Sequence, residues 1–127
     1  MSDLMPSPDS DTRLRMRILF GDSAMLGPGK ADLLELIRDT GSIAAAGRAM
    51  SMSYKRAWSL VEEMNAAFRA PLVARSRGGT KGGGALLTEA GETVLGHYRN
   101  AEAAAARAAA EDIAALRAML SDIPGGK

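Results

Sequence analysis

Cysteine is absent from the 127 residues, which excludes both a disulfide framework and a thiolate metal site. Aromatic residues make up only 4%. With alanine abundant, that poverty favours closely packed helices over a sheet sandwich. No apolar run approaches the roughly 20 residues needed to span a bilayer. The opening stretch, MSDLMPSPDSD, is acidic and holds proline, so it lacks the basic start and apolar middle of a signal peptide. A soluble cytoplasmic protein with no membrane partner is expected. The single histidine, His97, has no cysteine or second histidine to join it. It reads as a surface or interface residue, and neither a metal site nor a cofactor is expected. No nucleophile–base pair stands out and the carboxylates are scattered over helix faces, so the chain is not expected to be an enzyme.

What is present is charge with its sign segregated. Between residues 42 and 88 the basic residues are Arg48, Lys55, Arg56, Arg69, Arg75, Arg77 and Lys81, against Glu62 and Glu63, a balance of +5 in a chain of net +1. The remainder therefore carries −4. A cationic region in a near-neutral chain suits a polyanionic partner, although a merely solvated surface would look the same.

The length fits one domain with a modest core. Residues 1–12, rich in Ser, Asp and Pro, read as a disordered tail. From Arg13 to Phe20, basic and apolar residues alternate before turning continuously apolar, which predicts a strand with one face buried. Gly21 ends it, and Ser23 to Gly29 reads as a loop. The run from Lys30 to Thr40 sets Leu33, Leu34 and Ile37 on one helical face, with Gly41 as C-cap. Ser42 then caps a second helix, in which Ile43, Ala46 and Met50 form a narrow apolar seam. Gly47 inside that helix costs roughly 1 kcal/mol against alanine, and a close helix crossing would explain it.

Ser51 to Ser53 breaks the pattern, and Ser53 can cap a third helix from Tyr54 to about Phe68. Its apolar stripe is Ala57, Leu60 or Val61, Met64 and Phe68, with Trp58 half buried beside it. Its exposed first turn offers Ser53, Tyr54, Lys55, Arg56 and Ser59. Two helices joined by so short a turn make a helix-turn-helix arrangement, in which the second helix contacts base edges with its N-terminal residues. An ordinary helical hairpin with surface cations is the blander reading. Pro71 stops the helix. Leu72 to Arg75 and Ala85 to Thr88 then read as strands of a hairpin whose tip, Arg77 to Gly84, is basic and glycine-rich. That tip matches neither phosphate-loop pattern and lies between strands instead of opening a helix. A wing lying along DNA fits it better, with Arg75, Arg77, Gly79, Thr80, Lys81 and Gly82 along the backbone.

Thr88 caps a helix expected to run almost to Asp122, with acidic residues in its first turn. Val94, Tyr98, Ala101, Ala105, Ala109, Ile113, Leu116 and Leu120 line one side at a mean spacing of about 3.7 residues, nearer a straight helix than a strict heptad seam. A helix of some 33 residues would extend roughly 50 Å, too long to bury against one small domain. Antiparallel pairing with a second copy would use that stripe and give a homodimer. A lone solvated helix is the alternative. The tail is 123–127.

Taken together, the order of elements resembles the N-terminal domain of ModE-type molybdate-responsive regulators. More distantly it is similar to the winged helix-turn-helix of LysR-type regulators. The resemblance spans roughly Arg13 to Asn100. It is sharpest at Ser53-Tyr54-Lys55-Arg56-Ala57-Trp58 with Glu63-Met64-Asn65, and from Gly78-Gly79 through Gly82-Gly83-Gly84-Ala85 to Leu87-Thr88. It implies a mainly α fold with a small β-sheet: a winged helix-turn-helix over 13–88 and a long dimerisation helix over 89–122. It further implies that Ser53 to Ser59 enter the major groove, that the wing meets the backbone or minor groove, and that the strand from Arg13 to Phe20 pairs with the wing. Full-length members carry C-terminal oxyanion-binding domains. A chain ending at Lys127 is expected to lack one, so molybdate sensing is not expected to carry over, leaving a stand-alone regulator or one served by a separate effector or effector-binding protein. The leading expectation is thus a sequence-specific, dimeric regulator of double-stranded DNA. The competing one is a protein-interaction module that uses the alanine-rich C-terminal helix and binds DNA weakly or not specifically.

Overall fold

The computed structural model describes residues 12–76 and 84–121. The expected tails, apart from Thr12, and the tip of the hairpin lie outside the described residues. The elements in order are β1 (Ile18–Phe20), β2 (Ala24–Leu26), α1 (Pro28–Thr40), α2 (Ile43–Ala49), α3 (Tyr54–Ala67), β3 (Val73–Ser76), β4 (Gly84–Leu87), α4 (Glu89–Ala108) and α5 (Ala110–Ala118). The fold is mainly α, as expected. The chain divides into two compact units, residues 16–99 and the remainder. The division falls within α4, eleven residues beyond the boundary expected after Thr88.

Within residues 16–99 the core forms where three helices meet. Leu33, Leu34 and Ile37 of α1 are wholly buried, with Ala46 of α2 and Ala57, Val61 and Met64 of α3. The i, i+3, i+4, i+7 set Ala57, Leu60, Val61 and Met64 gives α3 its buried stripe. The ends of these helices follow their local chemistry. Gly41 closes α1 in the left-handed conformation, φ 74°, with its N–H on the Ile37 carbonyl at 2.8 Å. The hydroxyl of Ser42 accepts the Ala45 N–H at 3.0 Å. At Gly47 an added Cβ would lie 3.0 Å from the Ala57 methyl, so the close crossing of α2 and α3 is the reason for glycine there.

The expected single sheet is instead two antiparallel ribbons, β1–β2 and β3–β4. The strand at the N-terminal side does not pair with the wing. Gly21, at φ 66°, reverses the chain directly, and Ile18, Leu19 and Phe20 pair with Leu26, Met25 and Ala24. The stretch read as a loop from Ser23 to Gly29 therefore contains strand β2 and the first turn of α1, which begins at Pro28 because proline's fixed φ suits a first helical position. The regular strand is also shorter than the alternation suggested, with Arg13 to Arg17 outside it. Phe20 packs edge-on against Phe68 at the end of α3, ring centres 6.4 Å apart.

The first part of α4 belongs to this body. Leu95 and Tyr98 are buried, and the Tyr98 hydroxyl donates to the Met16 carbonyl at 2.7 Å. Arg99 pairs with Asp32 at 2.8 Å and Glu35 at 2.7 Å on α1. Gly91 is where α4 meets the chain before β3: an added Cβ would lie 2.2 Å from the Leu72 carbonyl oxygen. Close by, Arg38 in the last turn of α1 is held above its usual pKa chiefly by its hydrogen bond to Asp39.

In the second unit, the described residues are 12–15 and 100–121. The long helix is not continuous: α4 ends at Ala108 and α5 begins at Ala110. Hydrogen bonds from Ala109 to Ala105 and from Ile113 to Ala109, 2.9 and 2.8 Å, carry the ladder across the junction. Arg117 donates to the Thr12 hydroxyl. No residue of α5 is buried.

Candidate nucleic-acid interface

The first turn of α3 is built by its cap. Ser53 is extended, φ −70° and ψ 159°, and its hydroxyl accepts the Arg56 N–H at 3.0 Å. That bond satisfies one of the free N–H groups at the start of the helix. Tyr54, Lys55 and Arg56 are exposed and Ser59 is half buried. Lys55 and Arg56 make no ion pair among the described residues. Of the two acids one turn further along, Glu63 is held by Lys30 at 3.2 Å. The start of α3 is thus a cationic, hydrogen-bonding surface with no internal claim on its charges.

The turn before it, Met50 to Ser53, joins two helices that cross closely. Ser51 sits at φ 60°. The Met52 N–H reaches back to the Gly47 carbonyl at 2.9 Å, which satisfies the end of α2 and sets the angle at which α3 leaves.

The hairpin stem is fastened beside α3 at three points. Asn65, on the last turns of α3, accepts the N–H groups of Leu72 and Val73 at 2.8 and 3.1 Å and donates to the Val73 carbonyl at 3.2 Å. The Thr88 N–H donates to the Leu72 carbonyl at 2.9 Å, and its hydroxyl donates to the Pro71 carbonyl at 2.7 Å while accepting the Gly91 N–H. The Ala85 N–H donates to the Gly41 carbonyl at 2.9 Å, tying β4 to the turn between α1 and α2. Between these anchors Val73 pairs with Leu87 and Arg75 with Ala85.

Arg75 is the expected wing residue that can be placed. It is exposed, and its guanidinium lies 6.0 Å from the Trp58 ring centre, a contact worth about 0.5–1 kcal/mol at an exposed site. Arg75, Trp58 and Tyr54 line one cleft of about 270 Å³ with Ile43 and Val73. Stem and recognition turn therefore form one surface. Arg77, Gly79, Thr80, Lys81 and Gly82 lie outside the described residues.

The expected pairing stripe divides in two. Tyr98 is taken up by the core of its own chain, 2% exposed, and Val94 packs partly against that core. Both were placed on the stripe by spacing alone, which cannot say what covers a face. Ala101, Ala105, Ala109 and Ile113 are half covered, while Leu116 and Leu120 are exposed. His97 is exposed as well. Asn65 and Gly91 are the residues that composition and periodicity missed. Asn65 stands within the quoted Glu63-Met64-Asn65 motif, yet nothing in its spacing announces partners seven and eight residues away.

Residues 30–92 match the family of bacterial regulatory helix-turn-helix proteins, lysR family. That stretch runs from the start of α1 through α3 and the hairpin into α4. Over these 63 of 127 residues the chain is similar to the helix-turn-helix domain of that family. Its relatives sharpen the assignment. The chain is 43% identical over 90 residues to the molybdenum-pterin-binding protein MopB of Rhodobacter capsulatus, covering 71% of this chain and 33% of that protein. It is 35% identical over 88 residues to the transcriptional regulator ModE of Haemophilus influenzae, covering 69% and 34%. To the DNA-binding transcriptional dual regulator ModE of Escherichia coli it is 39% identical over 71 residues, covering 56% and 27%. The resemblance to ModE-type regulators holds, and the chain spans about a third of the length of the relatives it matches. Among the described residues no helix is long and apolar enough to cross a membrane.

Proposed function

We propose that this protein is a DNA-binding transcriptional regulator, not an enzyme, which places the first turn of α3 in the major groove of a duplex. The observation that carries this reading is the start of α3: Tyr54, Lys55 and Arg56 exposed on the second helix of a helix-turn-helix, with both cations free of ion pairs among the described residues. Ser53 and Ser59 flank them with hydroxyls. Lys and Arg on such a helix read guanine edges by donating to O6 and N7, and hydroxyls pair with either donors or acceptors. Arg75 and the basic tip with Arg77 and Lys81 contribute backbone contacts, with Gly79, Thr80 and Gly82 allowing close approach.

One such helix reads only a few base pairs, so the regulator works as a homodimer on a two-fold site. The partner surface is the distal stripe Ala101, Ala105, Ala109, Ile113, Leu116 and Leu120. Methyl-sized residues followed by exposed leucines suit a close helix pairing. The relatives' names support a molybdenum-related regulator, which we read as cytoplasmic, with any effector acting through a separate effector or effector-binding protein.

Fluorescence anisotropy with duplexes tests the reading. Lys55→Ala and Arg56→Ala should each cost about 1–3 kcal/mol on the preferred site and relax specificity at one position. Arg77→Ala and Lys81→Ala should weaken all duplexes alike and flatten the salt dependence. Binding unaffected by Lys55→Ala and Arg56→Ala together would refute it.

A further inference from the structure

Arg17 is not part of the recognition helix, the turn or the wing, and it lies just before β1. Yet it lines the same cleft as Arg56, a space of about 270 Å³ floored by Met25, Met52 and Leu60. Its aliphatic stem is held there. A Cβ added to Gly27 would stand 3.0 Å from Arg17 Cγ and 3.3 Å from Met25 Sδ, so the absence of a side chain at Gly27 makes the bed in which Arg17 lies. Packing of the stem with the charged head left in water is the usual way an arginine is aimed.

The electrostatics of the cleft are one-sided. Arg17, Arg56 and Lys30 all line it and no carboxylate does. Lys30 is already engaged, with its ammonium on the Met25 carbonyl at 3.1 Å and Glu63 at 3.2 Å. Arg17 and Arg56 are exposed and make no ion pair among the described residues. Two guanidinium groups sharing one cleft repel each other in the free protein, and an anion bridging them removes that cost. Guanidinium is also the side chain best matched to phosphate oxygens, through paired N–H donors.

We propose that Arg17, lodged in the cleft beside the base-reading Arg56, forms a phosphodiester clamp. In it Arg17 grips the DNA backbone beside the groove entered by α3. This rests on the proposed DNA-binding function and extends it to a residue outside the helix-turn-helix. The clamp carries no sequence information of its own. It fixes register, so that the first turn of α3 meets base edges at a set depth.

The test is the affinity of the full chain for its preferred duplex and for an unrelated duplex, across a salt series, for wild type, Arg17→Gln, Arg17→Lys and Arg69→Gln. Arg17→Gln is expected to weaken both duplexes by the same factor and to flatten the slope of log affinity against log salt by about 0.9 for the lost phosphate. Arg17→Lys should restore most of that slope, and Arg69→Gln, at the other end of α3, should match wild type. Unfolding curves for the variants should superimpose on wild type, since Arg17 is exposed. A wild-type slope in Arg17→Gln overturns the clamp while the DNA-binding reading stands; wild type that binds neither duplex overturns both. Inorganic phosphate at constant ionic strength should raise the melting temperature of wild type more than that of Arg17→Gln, because an anion between the two guanidiniums relieves their repulsion. Phosphate protection that needs Arg17, together with a wild-type salt slope in Arg17→Gln, would assign the cleft to a free oxyanion and overturn the backbone clamp.

Discussion

The two parts of the C-terminal helical region differ in composition and in use. From Glu89 to Arg99 the helix is fastened: Gly91 lies against the Leu72 carbonyl, Leu95 and Tyr98 are buried, and Arg99 pairs with two acids of α1. From Asn100 through α5 none of its residues is buried. Alanine dominates only the second part, while the first holds a single alanine and two glycines, so helical propensity is not what fastens the first. The difference lies in what each face meets. The first part stabilises the body formed by residues 16–99, whereas the second keeps a half-covered alanine stripe and exposed leucines.

That contrast predicts two classes of variant. The largest effect is expected from Gly91→Ala, whose methyl has backbone, not a yielding side chain, in its way. Overpacking of this kind should destabilise by about 3 kcal/mol in chemical denaturation. Next is Asn65→Ala, which strips two N–H groups and one carbonyl of their partner at the start of β3 and should cost about 2 kcal/mol. It should also weaken DNA binding with Lys55 and Arg56 intact, because the wing stem loses its tie to α3. Tyr98→Phe removes only the bond to Met16 and should cost about 1 kcal/mol. Smallest in stability is the double change Leu116→Ser with Leu120→Ser, within about 0.5 kcal/mol for the isolated protomer as for other exposed sites. In sedimentation, however, it should shift the protein from dimer to monomer. A loss of stability in that variant with no change in mass would erase the distinction between the two parts.

The features readable from sequence are those whose cause is local. Ser42 and Ser53 cap helices with their own hydroxyls, Gly41 closes α1, and Gly47 marks the crossing with Ala57. Each needs only a few neighbouring residues to be recognised. What escaped depends on residues distant in the chain. Strand β2 lay hidden in a segment punctuated by Gly27-Pro28-Gly29, and its partner β1 was assigned to the wing. The stripe from Val94 to Leu120 has one spacing, yet its first two members are covered by the chain itself. The exposure of Tyr54, Lys55 and Arg56 was legible because they follow the Ser53 N-cap; the partners of Asn65 were not, since they lie in the chain seven and eight residues on.

The central claim is that α3 reads duplex DNA from a two-fold dimer, and in vitro selection of bound duplexes by the full chain tests it most directly. Enrichment of a palindromic motif is expected, with half-sites about one helical turn apart and affinity falling steeply with salt. A pool that returns no motif, from a protein with no salt-dependent affinity for any duplex, would contradict it.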